Sequence, residues 1–215
     1  MATIFIAGAT GFMGRTLSAE LLRRGHSVTA LARPGSERRV APGCRILAGD
    51  PLDSSTYRRH LDGHDCFVHL VGVSHPSPAK AAQFRSIDLA SAKQSAAAAA
   101  SARIPHFVYV SVAHPAPIMR EYIAARTEAE EAIRAAGLNA SILRPWYVLG
   151  PGRRWPLLLV PAYWLMGLIP ATRAGASRLG LVTLPQMIAA LAWCVENPPS
   201  GVRILEVPEI RTSPL

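Results

Sequence analysis

Residues 8–14 read Gly8-Ala9-Thr10-Gly11-Phe12-Met13-Gly14, and this stretch decides the fold. It directly follows an apolar, β-branched run at 3–7 and opens a helical pattern over about 12–24. In such a strand–turn–helix, Gly8 permits the tight turn, Gly11 lets a ligand approach the backbone, and Gly14 lets helix and strand pack closely. The helix N-terminus offers its N–H groups to an anion. The stretch therefore predicts a site for the pyrophosphate of a dinucleotide.

Short apolar runs alternate with helical patterns through the first two thirds of the chain. Further strands are predicted at 27–32, 45–48, 66–71, 106–110 and 140–143, helices near 90–102 and 121–136, and a closing helix near 185–196 with a strand at 203–207. This alternation predicts an α/β fold, a doubly wound parallel sheet of the Rossmann type. We interpret residues 1–215 as a single NAD(P)-binding domain. It would have a nucleotide-binding core at 1–150, a substrate-side excursion at 151–182, and a closing helix and strand at 183–215.

The composition describes a compact globular protein with a formal net charge of +9, in which Lys80 and Lys93 are the only lysines. No basic run interleaved with aromatics is present, so we expect no nucleic-acid partner. Cys44, Cys66 and Cys194 show neither metal-ligand nor disulfide spacing, so no metal is expected. The N-terminus has no basic region before its apolar run and is interpreted as a strand rather than a signal peptide. These features favour a cytoplasmic protein.

The end of the second predicted strand reads Leu31-Ala32-Arg33-Pro34-Gly35-Ser36. An acidic residue at this place would favour NAD by binding the ribose hydroxyls, and none is present. Arg33 can instead pair with a 2′-phosphate, Ser36 can add a hydroxyl donor, and Arg15 can join them. The sequence therefore predicts NADP, with NAD as the alternative if Arg33 is only a surface arginine.

With these residues identified, nearly the whole chain resembles the short-chain dehydrogenase/reductase superfamily. The resemblance is to its atypical NAD(P)H-binding branch, which includes epimerase/dehydratase-like proteins and nitrogen-metabolite-repression regulators. Residues 10–14 resemble the branch's nucleotide turn, residues 50–53 its adenine-contacting stretch, residues 70–72 the strand end beneath the cofactor, and residues 143–150 the segment near the nicotinamide. Together with the glycine turn, the predicted cofactor contacts are Gly8, Thr10, Gly11, Phe12, Met13, Gly14, Arg15, Arg33, Asp50, Leu52, Leu70, Val71, Gly72 and Pro145.

The resemblance also implies catalytic residues: a serine after strand five, and a tyrosine four positions before a lysine on the next helix. Ser111 and Tyr122 occupy the matching places, but Arg126 replaces the lysine, and Asp88 stands where other members carry asparagine. A spacing of four puts Tyr122 and Arg126 on one helix face, where a guanidinium can lower the pKa of the phenol but cannot relay protons. The alternatives are a surface tyrosine, an arginine paired with Glu130, and a serine that caps a loop.

Residues 155–170 form an apolar excursion without charge, bracketed by arginines. Its length approaches that of a membrane span, but Pro156, Pro161 and Pro170 oppose a straight helix. We expect it to wall an apolar pocket or to form a subunit interface, as in a homodimer, in preference to contact with a membrane surface.

These observations predict an NADP(H)-dependent oxidoreductase acting on a small, apolar carbonyl or quinone. Tyr122 would exchange the proton, Arg126 would polarise Tyr122, and Ser111 would orient the reacting oxygen. A non-catalytic NAD(P)H-binding sensor or assembly factor is the main alternative. A nucleotide-sugar epimerase or dehydratase is less expected, since little chain follows strand six for a sugar-binding domain.

Overall fold

The computed structural model describes residues 1–151, 175 and 177–214. Nine strands lie within these residues: β1 (Thr3–Ala7), β2 (Ser27–Ala32), β3 (Arg45–Ala48), β4 (Cys66–His69), β5 (His106–Val110), β6 (Ala140–Leu143), β7 (Tyr147–Leu149), β8 (Leu181–Thr183) and β9 (Val202–Leu205). The main sheet has the order β3-β2-β1-β4-β5-β6-β9, and all its described pairs are parallel. The prediction of a doubly wound parallel sheet is confirmed.

Five α-helices of six or more residues flank the sheet in the described part of the chain: α1 (Phe12–Arg23), α2 (Ala90–Ser101), α3 (Arg120–Ala135), α4 (Leu184–Glu196) and α5 (Val207–Thr212). A helical turn, Ala81–Gln83, and a π-helical segment, Phe84–Leu89, lead directly into α2. Short 3₁₀ turns lie at 37–39, 54–56, 58–60 and 78–80.

The two faces of the sheet bury separate apolar cores, because successive side chains of a strand point to opposite sides. Ile4 and Ile6 of β1 belong to the core that contains the buried faces of α1 and α4. Phe5 and Ala7 belong to the core that contains those of α2 and α3. Strand β1 is covered on both sides, which explains why its sequence is continuously apolar.

The strand order reverses beside β1, which pairs with β2 on one side and with β4 on the other. In an open α/β sheet, ligands bind outside the carboxyl ends of the strands at such a switch point. The turn at 8–14 lies at this place. The topology therefore puts the candidate site at the carboxyl edge between β1 and β4.

Several predicted boundaries need correction. Strand β4 ends at His69 rather than at 71, and the strand predicted at 203–207 ends at Leu205. Val207 instead begins α5, because the proline that follows it suits the first turn of a helix. The small parallel sheet of β7 and β8 was not predicted from the sequence. The predicted apolar excursion at 155–170 lies outside the described residues.

None of the helices in the described residues is both long enough and apolar enough to cross a membrane.

Candidate functional site

The turn after β1 has the backbone geometry that its glycines suggested. Gly8 has a φ of +91°, and a Cβ there would lie 2.7 Å from the carbonyl carbon of Leu70. The Gly11 N–H donates to the Gly8 carbonyl at 3.0 Å and closes the turn. A Cβ on Gly14 would overlap the Gly8 carbonyl oxygen and lie 2.8 Å from the Ala9 Cα. Side chains at positions 8 and 14 would therefore separate α1 from β1 and β4.

The N-terminus of α1 fits the dinucleotide phosphates. Its N-cap, Gly11, has extended backbone and no side chain with which to cap the helix. No acidic residue lies in the first turn of the helix. A helix end of this kind presents a positive dipole and backbone donors to an anion.

Two exposed arginines flank this edge of the sheet. Arg33 directly follows β2, and Arg15 lies in the first turns of α1. Neither arginine forms an ion pair within the described residues. The Ser36 hydroxyl donates to the Arg33 carbonyl at 2.6 Å, so this hydroxyl orders the turn after β2. The guanidinium of Arg33 can therefore meet a phosphate without first breaking an ion pair with a described residue.

The loop after β3 lies next to the end of β2, because the Gly49 N–H donates to the Ala32 carbonyl at 3.0 Å. The Asp50 carboxylate accepts the Leu52 N–H at 2.9 Å, and the Asp50 N–H donates to the Thr56 hydroxyl at 3.0 Å. Leu52 is 39% exposed. Asp50 thus shapes the loop, and Leu52 leaves part of an apolar side chain exposed beside it.

Residues 70–72 continue from β4 along the edge of the turn. The Leu70 N–H donates to the Ala7 carbonyl at 2.8 Å, which extends the pairing with β1. Gly72 lies against a buried ion pair, since a Cβ there would overlap Nη2 of Arg126 and lie 3.0 Å from Oδ1 of Asp88. The strand end is therefore packed between the glycine turn and this ion pair.

Arg126 is 5% exposed, and its guanidinium is held by three residues from two elements, the π-helical segment and β5. Its Nη2 donates to Oδ1 of Asp88 at 2.5 Å. Its Nη1 donates to the Val110 carbonyl at 2.8 Å and to the Tyr109 hydroxyl at 3.3 Å. Arg126 therefore pairs with Asp88 across the fold and not with Glu130 along its own helix, which was the alternative suggested by the sequence.

Tyr122 and Arg126 do share one face of α3, as the spacing of four predicts. The guanidinium carbon of Arg126 lies 5.2 Å from the centre of the Tyr122 ring. The ring also packs against Phe84 at 4.9 Å between centres. Burial raises the pKa of the Tyr122 phenol, while Arg126 opposes part of that rise. The phenol is thus kept in its protonated form, as a proton donor requires.

Ser111 lies in a different polar cluster, centred on Glu130. The Ser111 hydroxyl donates to Oε1 of Glu130 at 2.6 Å, and Arg144 donates to both oxygens of that carboxylate, at 2.9 and 2.5 Å. Burial would raise the pKa of Glu130, but the bonds from Arg144 and Ser111 outweigh it and lower the pKa. The Ser111 proton is therefore committed to Glu130, and the structure does not bring this hydroxyl into the contacts around Tyr122 and Arg126.

The segment after β6 connects with both sides of the site. The Pro145 carbonyl accepts the Ala113 N–H at 3.0 Å, so the pairing of β5 and β6 continues past their ends. Gly150 lies against the ring of Phe12, whose Cζ would be 2.5 Å from an added Cβ. Phe12 therefore joins the predicted nucleotide turn to the end of β7.

Sequence reasoning did not predict that Asp88 and Glu130 are the buried carboxylates around which this edge is organised. The signal for Asp88 was present, because an acidic residue stands where related proteins carry asparagine and a basic one, Arg126, where they carry lysine. Glu130 gave no comparable signal. In the described residues, no group of three or more metal-binding side chains occurs.

Comparison with known proteins assigns the family. Residues 8–153 match the NAD(P)H-binding family, and this range contains the glycine turn, Asp88 and the Tyr122 helix. The chain belongs to the NAD(P)H-binding family. This match agrees with the resemblance of its motifs to the atypical branch of the short-chain dehydrogenase/reductase superfamily.

The relatives of this family member include reductases. The chain is 29% identical over 97% of its length to the ceramide reductase of Caulobacter vibrioides, of which it covers 65%. It is 27% identical over 68% of its length to the 4-hydroxy-2-methyl-3-oxo-4-farnesyl-3,4-dihydroquinoline-1-oxide ketoreductase of Stigmatella aurantiaca, of which it covers 50%. The chain thus spans about half to two thirds of these relatives.

Solved structures share the fold at low sequence identity. The structure of WbmH of Bordetella bronchiseptica, in complex with NAD+, aligns with a TM-score of 0.71 and 19% identity. The alignment covers 96% of the present chain and 75% of the WbmH chain. MoeE5, in complex with UDP-glucose and NAD, matches 98% of the chain and 79% of its own with a TM-score of 0.70 and 20% identity. These similarities show a Rossmann-type α/β fold.

Proposed function

We propose that the protein is an NADPH-dependent reductase that acts on a small, apolar carbonyl or quinone. The observation that carries the proposal is an unbroken series of contacts from the glycine turn to Tyr122. Gly8 lies against Leu70, Gly72 lies against Arg126, and Arg126 lies beneath the Tyr122 ring. A phenol is thereby fixed at the same edge of the sheet as the turn that suits a dinucleotide.

Bound NADPH would supply a hydride to the substrate's carbonyl carbon. Tyr122 would donate its phenolic proton to the oxygen on which negative charge develops. Arg126 remains protonated at any ordinary pH, so it stabilises charge and does not relay a proton. The phenol would therefore regain its proton from solvent.

Two features support the choice of cofactor and substrate. The exposed guanidinium of Arg33, beside a strand end with no carboxylate, favours the 2′-phosphate of NADPH. For the substrate, the apolar ring of Phe84 packs against the Tyr122 ring and favours an apolar molecule there. The names of two relatives, a ceramide reductase and a farnesyl-dihydroquinoline-oxide ketoreductase, also indicate reduction of substrates of this kind.

One observation favours a second function, a non-catalytic NAD(P)H-binding sensor. The Ser111 hydroxyl donates to Glu130, and the Arg126 guanidinium is occupied by Asp88, Tyr109 and a carbonyl. Two of the three predicted catalytic groups thus have structural partners. We favour the reductase because the Tyr122 phenol, unlike the Ser111 hydroxyl, is not bonded to a carboxylate among the described residues. Its polar contact is with Arg126, which opposes the rise that burial causes in its pKa and favours release of the proton.

The test is a screen of quinones, aldehydes and apolar ketones with NADPH, using wild type and Tyr122→Phe. We expect kcat for the best substrate to fall by about 100-fold or more in Tyr122→Phe, because a general acid contributes on that order. The dissociation constant for NADPH, measured by fluorescence titration, should change little.

Tyr57→Phe is the matched control, since Tyr57 is fully buried and its hydroxyl meets Ser95 at 3.4 Å, away from the Tyr122 contacts. It should retain the wild-type kcat. Tight NADPH binding without turnover of any substrate would contradict the reductase and support the sensor. Equal activity in Tyr122→Phe and wild type would contradict the role given to Tyr122.

A further inference from the structure

Asp88 is a fully buried carboxylate in the π-helical segment that precedes α2. Its Oδ1 accepts from Nη2 of Arg126 at 2.5 Å, and its Oδ2 accepts from the Val73 N–H at 3.0 Å. Burial raises the pKa of the Asp88 carboxyl, while the bonds from Arg126 and the Val73 N–H oppose the rise and favour the ionised form. π-Helical segments are rare and are frequent at functional sites.

The partner of Asp88 cannot move freely. The other end of the Arg126 guanidinium is held by the Val110 carbonyl and the Tyr109 hydroxyl, and Gly72 lies directly against it. The ion pair therefore joins the π-helical segment, the ends of two strands and α3. It lies 5.2 Å from the Tyr122 ring, measured from the guanidinium carbon.

On the basis of the proposed reductase function, we propose that Asp88 is a positioning residue that neutralises Arg126 beneath Tyr122 and so keeps the phenol protonated for its role as the acid. A lone guanidinium at this distance, in a buried environment, would strongly favour the phenolate. A carboxylate bonded to that guanidinium cancels most of its field. In proteins with asparagine and lysine at these two places, the cation lacks this counter-charge.

Among the described residues, the other groups packed around Tyr122, namely Tyr109 and Phe84, carry no charge near neutral pH. Burial raises the pKa of Tyr109 to about 12, and burial lowers the pKa of His69, which packs against Tyr109, to about 3. Phe84 is apolar. For Tyr122 itself, burial raises the pKa, Arg126 opposes the rise and Asp88 adds to it. The balance between Asp88 and Arg126 therefore decides how readily Tyr122 ionises.

The proton balance of the step depends on this arrangement. As the carbonyl is reduced, its oxygen gains the electron pair of the broken π bond and takes the Tyr122 proton. The resulting phenolate then regains a proton from water. A phenol that were already ionised at working pH could only accept a proton, which is the task in the reverse, oxidative direction.

The experiment compares Asp88→Asn, Arg126→Gln and the double variant with wild type. The readout is the ionisation midpoint of Tyr122, followed by NMR of ¹³Cζ-labelled tyrosine in the cofactor-free protein and assigned with Tyr122→Phe. We expect Asp88→Asn to lower the midpoint by about one pH unit or more, a ten-fold change in the ionisation constant. Arg126→Gln should raise it, and the double variant should return close to wild type.

The same shift should appear in the pH dependence of kcat/KM. The pH above which kcat/KM declines should be lower in Asp88→Asn than in wild type, by a similar amount. Glu128→Gln is the matched control, because Glu128 lies on α3 near Arg126 but is paired at the surface with Lys93 at 2.6 Å. It should leave the Tyr122 midpoint unchanged.

An unchanged midpoint in a folded Asp88→Asn protein would overturn the inference. If that single variant does not fold, the ionisation midpoints of Tyr122 in Arg126→Gln and in the double variant are compared instead. Equal midpoints in those two proteins would also overturn the inference. The NMR readout does not need turnover. A shifted midpoint without activity would therefore contradict the reductase alone, and activity without a shift would contradict only the role of Asp88.

Discussion

Gly72 lies directly beneath the guanidinium of Arg126, so closely that a Cβ on Gly72 would overlap Nη2. The same Cβ would lie 3.0 Å from Oδ1 of Asp88. The strand end that borders the glycine turn and the helix that carries Tyr122 therefore meet at one point, and only glycine leaves room for it. Four predictions follow from this contact and from the polar groups around it.

The first prediction concerns Gly72→Ala. The added methyl group has to displace a buried ion pair that has no free space, so we expect the free energy of unfolding to fall by about 1–3 kcal/mol. NADPH should also bind more weakly, because residues 70–72 shift against the turn. Urea unfolding and fluorescence titration measure the two effects. Gly175→Ala, where an added Cβ meets nothing within 4 Å, should change neither quantity, and equal stability of the two variants would contradict the packing argument.

The second prediction concerns the cofactor. Arg33→Ala removes an exposed guanidinium from the carboxyl end of β2. We expect the dissociation constant for NADPH to rise by about ten-fold or more and that for NADH to stay nearly constant, because only NADPH carries the 2′-phosphate. Arg45→Ala is the control, since Arg45 is an exposed arginine at the opposite, amino edge of the sheet. A wild-type protein that prefers NADH would refute the role of Arg33.

The third prediction concerns stability in mild acid. Burial lowers the pKa of His64, lowers that of His69 to about 3 and lowers that of His106 to about 4. Because these values lie below the ordinary pKa of about 6.5, the unfolded chain takes up protons first as the pH falls. The free energy of unfolding should therefore decline below about pH 6.5, by up to about 1.4 kcal/mol per pH unit for each histidine.

Urea unfolding at about pH 7.5 and about pH 5 measures this decline. His69→Asn should reduce its slope. His75→Asn is the control, because His75 is exposed and its positive φ of 52° is one that asparagine adopts readily. A free energy of unfolding that stays constant over this range would show that the buried histidines do not titrate as the structure indicates.

The fourth prediction concerns Glu130, whose side chain is 1% exposed between Arg144 and Ser111. Its pKa is lowered, so its contribution is complete above the unfolded value of about 4.3 and is lost as the pH falls through the folded value. We expect Glu130→Gln to lose about 3–5 kcal/mol at neutral pH, because the Arg144 charge is left without its buried partner. The variant should lose less further stability than wild type below about pH 4.3.

Glu20→Gln provides the comparison for this prediction. Arg23 and Arg24 lower the pKa of Glu20 to about 2, but its side chain is 21% exposed. Without Glu20, Arg23 is exposed to solvent and Arg24 keeps its pair with Glu196. A surface pair of this kind contributes about 1 kcal/mol or less. Equal losses in the two variants would mean that burial does not strengthen the dependence of Arg144 on Glu130.

Local pattern alone was enough for most of the architecture. Strands β1, β2, β5 and β6 begin and end where the largely apolar runs in the sequence do, because strands covered on both faces need mostly apolar side chains. Strand β3 also follows its predicted run, although it lies at the edge of the sheet and is largely exposed. The turn at 8–14 could also be predicted, because its glycines are required by contacts within the same strand–turn–helix unit. These features depend on neighbours in the chain, and a sequence displays such neighbours directly.

The tertiary structure alone decided how the charged groups pair. The helical spacing of four suggested an ion pair between Arg126 and Glu130. Arg126 instead bonds Asp88, 38 residues away, and Glu130 bonds Arg144, which follows β6. Likewise β7 and β8 pair across 34 residues, a contact that no local pattern shows. A buried charge pairs with whatever opposite charge the packed elements bring to it, and that choice is made only when the sheet and its helices assemble.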